Sequence, residues 1–328
     1  MNKVFFAAAA AAAALALVPT DGPAIAQDYT MRIGSVQAET DPIIMGFNKL
    51  KEIVEDKTDG AVEVLVYPNG QLGNTQDLMD QALAGANVAA FTDANRLAAF
   101  LPKFGIIGAP YVFDDYAQAD AFTSSDTFWQ WADELQDASG FVTLAFNWYQ
   151  GPRNLLTNKP IESRADVEGL RIRTPGAPVW VAAGRALGGT PTPLDWAEIY
   201  SAMQLGAIDA VEAQPAGVIG SRLYEVADYL TLTEHIQLIT GIVVGESWWD
   251  ELPEEYQDII RDAAVEAGRY MSDIVIAQSG DDYAAMEAGG MTISEIDTSE
   301  FKEAAAAEIE ALGLSEALAT VQSVVQAQ

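Results

Sequence analysis

The chain has 328 residues, with 17 Lys and Arg against 48 Asp and Glu, one His and no Cys, and a formal net charge of −31. So acidic a protein is a poor partner for nucleic acid or an anionic membrane surface. Without cysteine there is no disulfide, no thiol chemistry and no lipid-modified anchor, and a single imidazole cannot build a multi-histidine metal site.

Residues 1–26 carry Lys3, an uncharged Ala-rich run over 4–18 and the small-x-small site Ala24-Ile-Ala26, the pattern of a secretory signal peptide cleaved after Ala26. The run is short for a ~20-residue membrane span and is closed by Pro19 and Asp21. An exported, soluble product without a lipid anchor is expected, and a length of roughly 300 residues suits two compact lobes.

Beyond the signal, strand and helix patterns alternate, as in an α/β protein with mainly parallel sheets. Met31 and Ile33 alternate in a first strand. From Asp41, with Pro42 in the first turn, Ile43, Phe47, Leu50 and Val54 mark one helix face, and Gly60 ends the helix. Val62, Val64 and Val66 alternate before the turn Pro68-Asn-Gly70. A second helix opens at Asn74 or Thr75 and closes at Gly85; residues 88–91 and 141–148 read as strands, and 104–113 as buried. Residues 151–160, with two prolines, read as a crossing between lobes.

In the second lobe, a strand at 170–173 stops at Thr174-Pro175, 178–187 is helical, Asp195 and Glu198 have capping-box spacing, and 208–211 is a short strand. Residues 229–233 and 241–244 read as two strands returning the chain to the first lobe. From Pro253 to Ala288 a helical pattern, interrupted mainly at Gly268 and Gly280, runs far beyond the typical ~12 residues and suits a brace across both lobes. A strand near 291–296 and two Ala-rich helices finish the chain. The expected plan is 27–150 with 239–278 as lobe I, and 151–238 with 279–328 as lobe II.

Six of the 17 basic residues, Arg153, Lys159, Arg164, Arg171, Arg173 and Arg185, fall within residues 153–185. Either they are solvated surface charges or some of them hold an anion, for which the guanidinium fork is suited. Arg171 and Arg173 share one strand face, so spacing does not choose between them. Arg173 stands at the carboxyl end, beyond which ligands of open α/β sheets bind. Trp148, at a strand end, and Trp196, on the first turn of the capped helix, offer aromatic surface either to a ligand or to the core. No Gly-x-Ser-x-Gly elbow, Walker loop or dinucleotide fingerprint occurs, His235 reads as structural, and no carboxylate pair is marked out by its setting.

At Gly169-Leu-Arg-Ile-Arg-Thr-Pro175 the chain resembles the DctP-type solute-binding proteins of TRAP (tripartite ATP-independent periplasmic) transporters. The resemblance continues in Val66-Tyr-Pro-Asn-Gly-Gln-Leu-Gly73, Ala109-Pro-Tyr-Val-Phe113, Arg153-Asn-Leu-Leu-Thr-Asn-Lys-Pro160, Thr190-Pro-Thr-Pro-Leu-Asp-Trp-Ala-Glu-Ile-Tyr200, Gly206-Ala-Ile-Asp-Ala-Val-Glu212 and Trp248-Trp-Asp-Glu-Leu-Pro253. It implies a two-lobed, type II-like periplasmic-binding-protein fold, braced by the long helix and closing on an organic acid. The partners it implies are the small and large membrane subunits of a permease; a monomer with no cofactor is expected.

By the same resemblance Arg173 is the carboxylate clamp, Arg153 a second basic position and Trp196 an aromatic contact. Gln214 follows Glu212 in the cleft segment, and Gln37 and Asp93 stand where the first lobe faces the cleft. In relatives that bind 2-oxo acids the position of Glu212 helps hold a metal ion; with Ala213 where Asn is frequent, no metal is expected. Two other readings stay open at this point: the binding protein of an ATP-driven importer, and an exported carboxylate-dependent hydrolase.

Overall fold

The computed structural model describes residues 28–327, so the expected signal peptide lies outside the described residues. Nine strands form one sheet: β1 (Tyr29–Gly34), β2 (Val62–Tyr67), β3 (Val88–Asp93), β4 (Phe141–Thr157), β5 (Arg171–Thr174), β6 (Thr190–Pro193), β7 (Ala210–Ala213), β8 (Tyr229–Gly245) and β9 (Thr292–Glu295). Their order is β2-β1-β3-β8-β4-β7-β5-β6, with β9 beside β8. β1 pairs in parallel with β2 and β3 on one side, and β5 with β6 and β7 on the other. The two parallel sets are the two lobes, and the antiparallel pair β4–β8 runs through both.

That pair differs from the sequence reading. Residues 151–160 contain no loop crossing until after Thr157, and 229–245 is one 17-residue strand rather than two short ones. The pairing carries register shifts at four places, one of them between Tyr149 and Gly151, where Gly151 has φ +101°. Each bulge breaks the period of two, so a single strand imitates two short ones in the sequence.

The first lobe buries apolar residues on both faces of its half of the sheet. Met31, Ile33, Phe47, Trp148 and Met271 lie on one side; Leu78, Phe104, Phe128 and Phe146 lie on the other. The helix Pro42–Lys57 starts at Asp41, whose carboxylate accepts the Ile43 N–H at 2.9 Å. Asp41 is buried close to Asp282, and burial, only partly offset by that bond, raises its carboxyl to about 6. A carboxyl raised in the folded state favours folding when protonated, so stability falls as pH climbs from about 4 to 6. Asp41→Asn keeps the cap acceptor without the charge. Its urea-unfolding midpoint is expected to be higher at pH 7 and flatter across that interval.

The helix Glu254–Ala288 is unbroken over 35 residues, about 50 Å at 1.5 Å per residue. It buries Ala264, Ala267 and Met271 against the first lobe and Met286 against the second. Gly268, which reads as an interruption, is instead a close approach: a Cβ there would stand 2.4 Å from Asn147 Oδ1 and 2.8 Å from the Trp148 ring. At Gly46 a Cβ would stand 2.5 Å from the same indole. Gly268→Ala gains helix propensity of about 1 kcal/mol but overpacks this contact. A net loss of roughly 1–2 kcal/mol in urea unfolding is expected.

The C-terminal helices touch both lobes. Phe301, in the helix Ser299–Ala311, packs with Ile172 and Val167, and Arg185 reaches Glu308 at 2.6 Å. Val321, in the helix Ser315–Gln326, packs instead among first-lobe residues such as Phe104 and Phe122.

Candidate functional site

The carboxyl ends of the parallel strands of both lobes meet at one cleft. Ser35, Val36 and Gln37 follow β1, Phe91, Thr92 and Asp93 end β3, and Arg173 and Pro175 lie at the end of β5. Gln150 and Arg153 of β4, with Leu238 and Thr240 of β8, form the floor, and Trp180 and Trp196 stand on the second-lobe side. An open α/β sheet binds at this position because strand ends leave backbone groups and loop side chains convergent.

Arg173 is 3 % exposed, and among the described residues it makes no ion pair. Its Nε donates to the Leu194 carbonyl at 2.8 Å, and its guanidinium lies 5.5 Å from the Trp196 ring centre. Arg173 lines the cleft, and its Nη groups have no protein acceptor among the described residues. Burial is the main cause that lowers its pKa, to about 9; Arg153 and Arg96 push the same way, and Glu212 opposes them. The group stays charged at neutral pH.

Arg153 is also buried but already matched. Its Nε contacts one oxygen of Glu212, its Nη2 donates to the other oxygen and to the Glu212 carbonyl at 2.7 and 2.6 Å, and its Nη1 donates to Gln214 at 2.6 Å. Four of its five N–H groups are therefore occupied. Its guanidinium lies 4.9 Å from the Trp180 ring centre, within cation–π range. Burial would raise the Glu212 carboxyl, but the Arg153 charge and hydrogen bonds, with His235 close by, prevail and hold it down to about 2. His235 Nε2 lies 3.6 Å behind Glu212, and Nδ1 is 2.9 Å from the Thr233 hydroxyl. Burial keeps that imidazole below its ordinary pKa.

A hydrogen-bonded chain continues from Arg153. Gln214 Nε2 donates to Gln150 Oε1 at 3.0 Å, Gln150 Nε2 to the Thr240 hydroxyl at 3.1 Å, and that hydroxyl to the Trp148 carbonyl at 2.8 Å. Gln37 accepts from the Ser35 hydroxyl. Asp93 caps the next turn by accepting the Arg96 N–H at 3.1 Å, pairs with the Arg96 guanidinium, and accepts the Trp180 indole N–H at 2.9 Å. Trp196 is oriented by its indole N–H on the Ser221 hydroxyl at 2.9 Å. Asn74 and Asp195 meet across the rim at 3.1 Å.

Of the residues singled out in the sequence, Arg173, Arg153, Trp196, Gln37 and Asp93 line the cleft, while Gln214 and Glu212 stand directly behind it. Trp148 does not reach it. Its ring is fully buried between Phe47 and Phe91, with the indole N–H on the Ala264 carbonyl at 3.1 Å. Only its backbone carbonyl supports the floor, so the core alternative holds for that residue. Trp180, Arg96 and Gln150 were not singled out. Arg96 had a local signal, an Asp three residues ahead at a strand-to-helix junction; Trp180 had none.

A family model described as bacterial extracellular solute-binding protein, family 7 (DctP), matches residues 33–313. A solute-binding protein of Roseobacter denitrificans is 30% identical over 282 residues, 86% of each chain. A periplasmic solute-binding protein of a TRAP system from Escherichia fergusonii, solved in an apo open form, is 42% identical with a TM-score of 0.80, over 90% of this chain and 99% of that one. One from Ochrobacterium anthropi with bound L-fuconate is 26% identical with a TM-score of 0.87, over 91% and 99%. The two-lobed sheet, the cleft of arginines and tryptophans, and the match along nearly all of the described chain lead to one assignment: the protein belongs to the DctP family of periplasmic solute-binding proteins of TRAP transporters, which are binding proteins and not enzymes.

Proposed function

We propose that this protein captures an organic acid between its lobes and delivers it to the small and large membrane subunits of a TRAP permease. The observation that carries the reading is Arg173, a buried guanidinium without a carboxylate ion-pair partner among the described residues. Its Nη groups match a carboxylate bidentately. Trp196 and Trp180 pack on the carbon skeleton, and Gln37 and Gln150 hydrogen-bond the remainder, with Gln214 holding Arg153 and Gln150 from behind. Asp93 acts through others, since it holds Arg96 and Trp180 in place. Cleavage after Ala26 would release the receptor into the periplasm.

In this reading the lobes divide as 28–150 with 239–278, and 151–238 with 279–314, while the helix Ser315–Gln326 goes with the first lobe on which it packs. Two observations support reading the described arrangement as a closed one. It superposes better on the L-fuconate complex than on the open apo neighbour despite lower identity, and Trp180–Asp93 and Asn74–Asp195 bridge the lobes. Closure removes water and strengthens the ion pair, and a closed form is what a permease can distinguish from the open one.

Mass spectrometry of whatever copurifies, followed by calorimetric titration with organic acids, tests the reading. An acid bound at micromolar affinity or better supports it. A chain that binds no acid, but instead a cationic or neutral solute, overturns it.

A further inference from the structure

We infer that the ligand is a monocarboxylate carrying several hydroxyl groups, an aldonate- or uronate-like acid, and not a dicarboxylate or a phosphate ester. The inference rests on Arg173 as the carboxylate clamp, and it follows from which charges around the cleft are already matched.

Three guanidinium groups border the cleft: Arg96, Arg153 and Arg173. Glu212 neutralises Arg153 through both carboxylate oxygens, and Asp93 neutralises Arg96. One positive charge is left, on Arg173. It matches one carboxylate and no more. A second carboxylate would be buried with no unmatched cation to meet, which is strongly disfavoured. Pointing that group outward brings it to Asp195 at the rim, whose charge is near enough to act on Arg173. A phosphate monoester, close to doubly charged at neutral pH, meets the same mismatch.

The rest of the cleft presents donors that are neutral or already charge-matched. After its bonds to protein, Arg153 retains one N–H, Gln150 retains one amide N–H, and the Gln37 amide nitrogen has no protein acceptor among the described residues. A plain alkyl acid would leave these donors facing hydrocarbon, each at the penalty of an unmade hydrogen bond. Hydroxyl oxygens satisfy them, while C–H faces of a polyol pack on Trp180 and Trp196.

The test is calorimetry at pH 7.5 with D-galactonate and D-glucuronate against galactarate, succinate, hexanoate and glycerol 3-phosphate. At least one of the two hydroxy monocarboxylates should bind about a hundredfold more tightly than every comparator. A comparator that binds as tightly or more tightly, and loses its binding in Arg173→Ala, overturns this inference while leaving the clamp standing. Failure of every acid overturns both. A second measurement uses the charge count directly. Asp93→Asn keeps an acceptor for Trp180 but uncovers Arg96, so galactarate should gain about tenfold relative to galactonate. An unchanged ratio overturns the charge argument, because a merely structural loss would weaken both acids alike.

Discussion

An Arg173→Ala protein is expected to bind its acid between a hundredfold and ten-thousandfold more weakly, yet to unfold at the same or a higher denaturant concentration. The loss follows from two charge-assisted hydrogen bonds at roughly 1.5–3 kcal/mol each in a site closed to water. The second half of the expectation separates a binding role from a structural one. Arg173 is buried with a single hydrogen bond, to a carbonyl at 2.8 Å, and no ion-pair partner among the described residues, so its removal relieves a desolvation penalty in the unliganded state. Arg173→Lys restores the charge but not the fork, and should recover only part of the affinity. Calorimetry paired with urea unfolding reads both quantities. Equal affinity in Arg173→Ala and wild type would sink the assignment of the clamp.

Glu212→Ala should show the opposite pattern in stability. It leaves the Arg153 guanidinium buried without a counter-charge, a loss of about 3–5 kcal/mol in urea unfolding. Replacing both members, Arg153→Met with Glu212→Leu, should restore most of it, because two apolar groups of similar volume leave no stranded charge. The pair also sets an acid limb. Glu212 titrates at about 2 in the folded protein against 4.5 ordinarily, so its stabilisation is complete above about 4.5 and is lost as pH falls towards 2. Glu212→Gln should flatten that limb. Were Glu212→Ala as stable as wild type at pH 7, the buried pair would not be holding the cleft floor together.

Much of the fold could be read directly from the chain. The helix starts capped by Asp41 and, to within one residue, Asn74, the 35-residue brace and the stop of β5 before Pro175 all follow from local rules of capping and periodicity. Where reading failed, the cause was local too: Gly151 and its neighbouring bulges disguised β4 and β8 as shorter pieces. Gly268 looked like a helix interruption because its reason lies on another element, the indole of Trp148.

By itself, then, the sequence determined the α/β class, the order of its elements and the placement of Arg173 at a strand end. Periodicity acts over a few residues, and the information is complete within that span. Only the tertiary structure decided which arginine is left with a charge to offer. Arg153 meets Glu212 from 59 positions away, Arg171 is taken up by Asp209 and Arg185 by Glu308, all across separate elements. It likewise chose Trp180 as cleft wall and Trp148 as core, two tryptophans that composition cannot tell apart. Charge matching and burial are properties of pairs brought together by folding, so only after the lobes are built do two of six candidate cations, Arg153 and Arg173, line the cleft, and only one of these is left without an ion pair among the described residues.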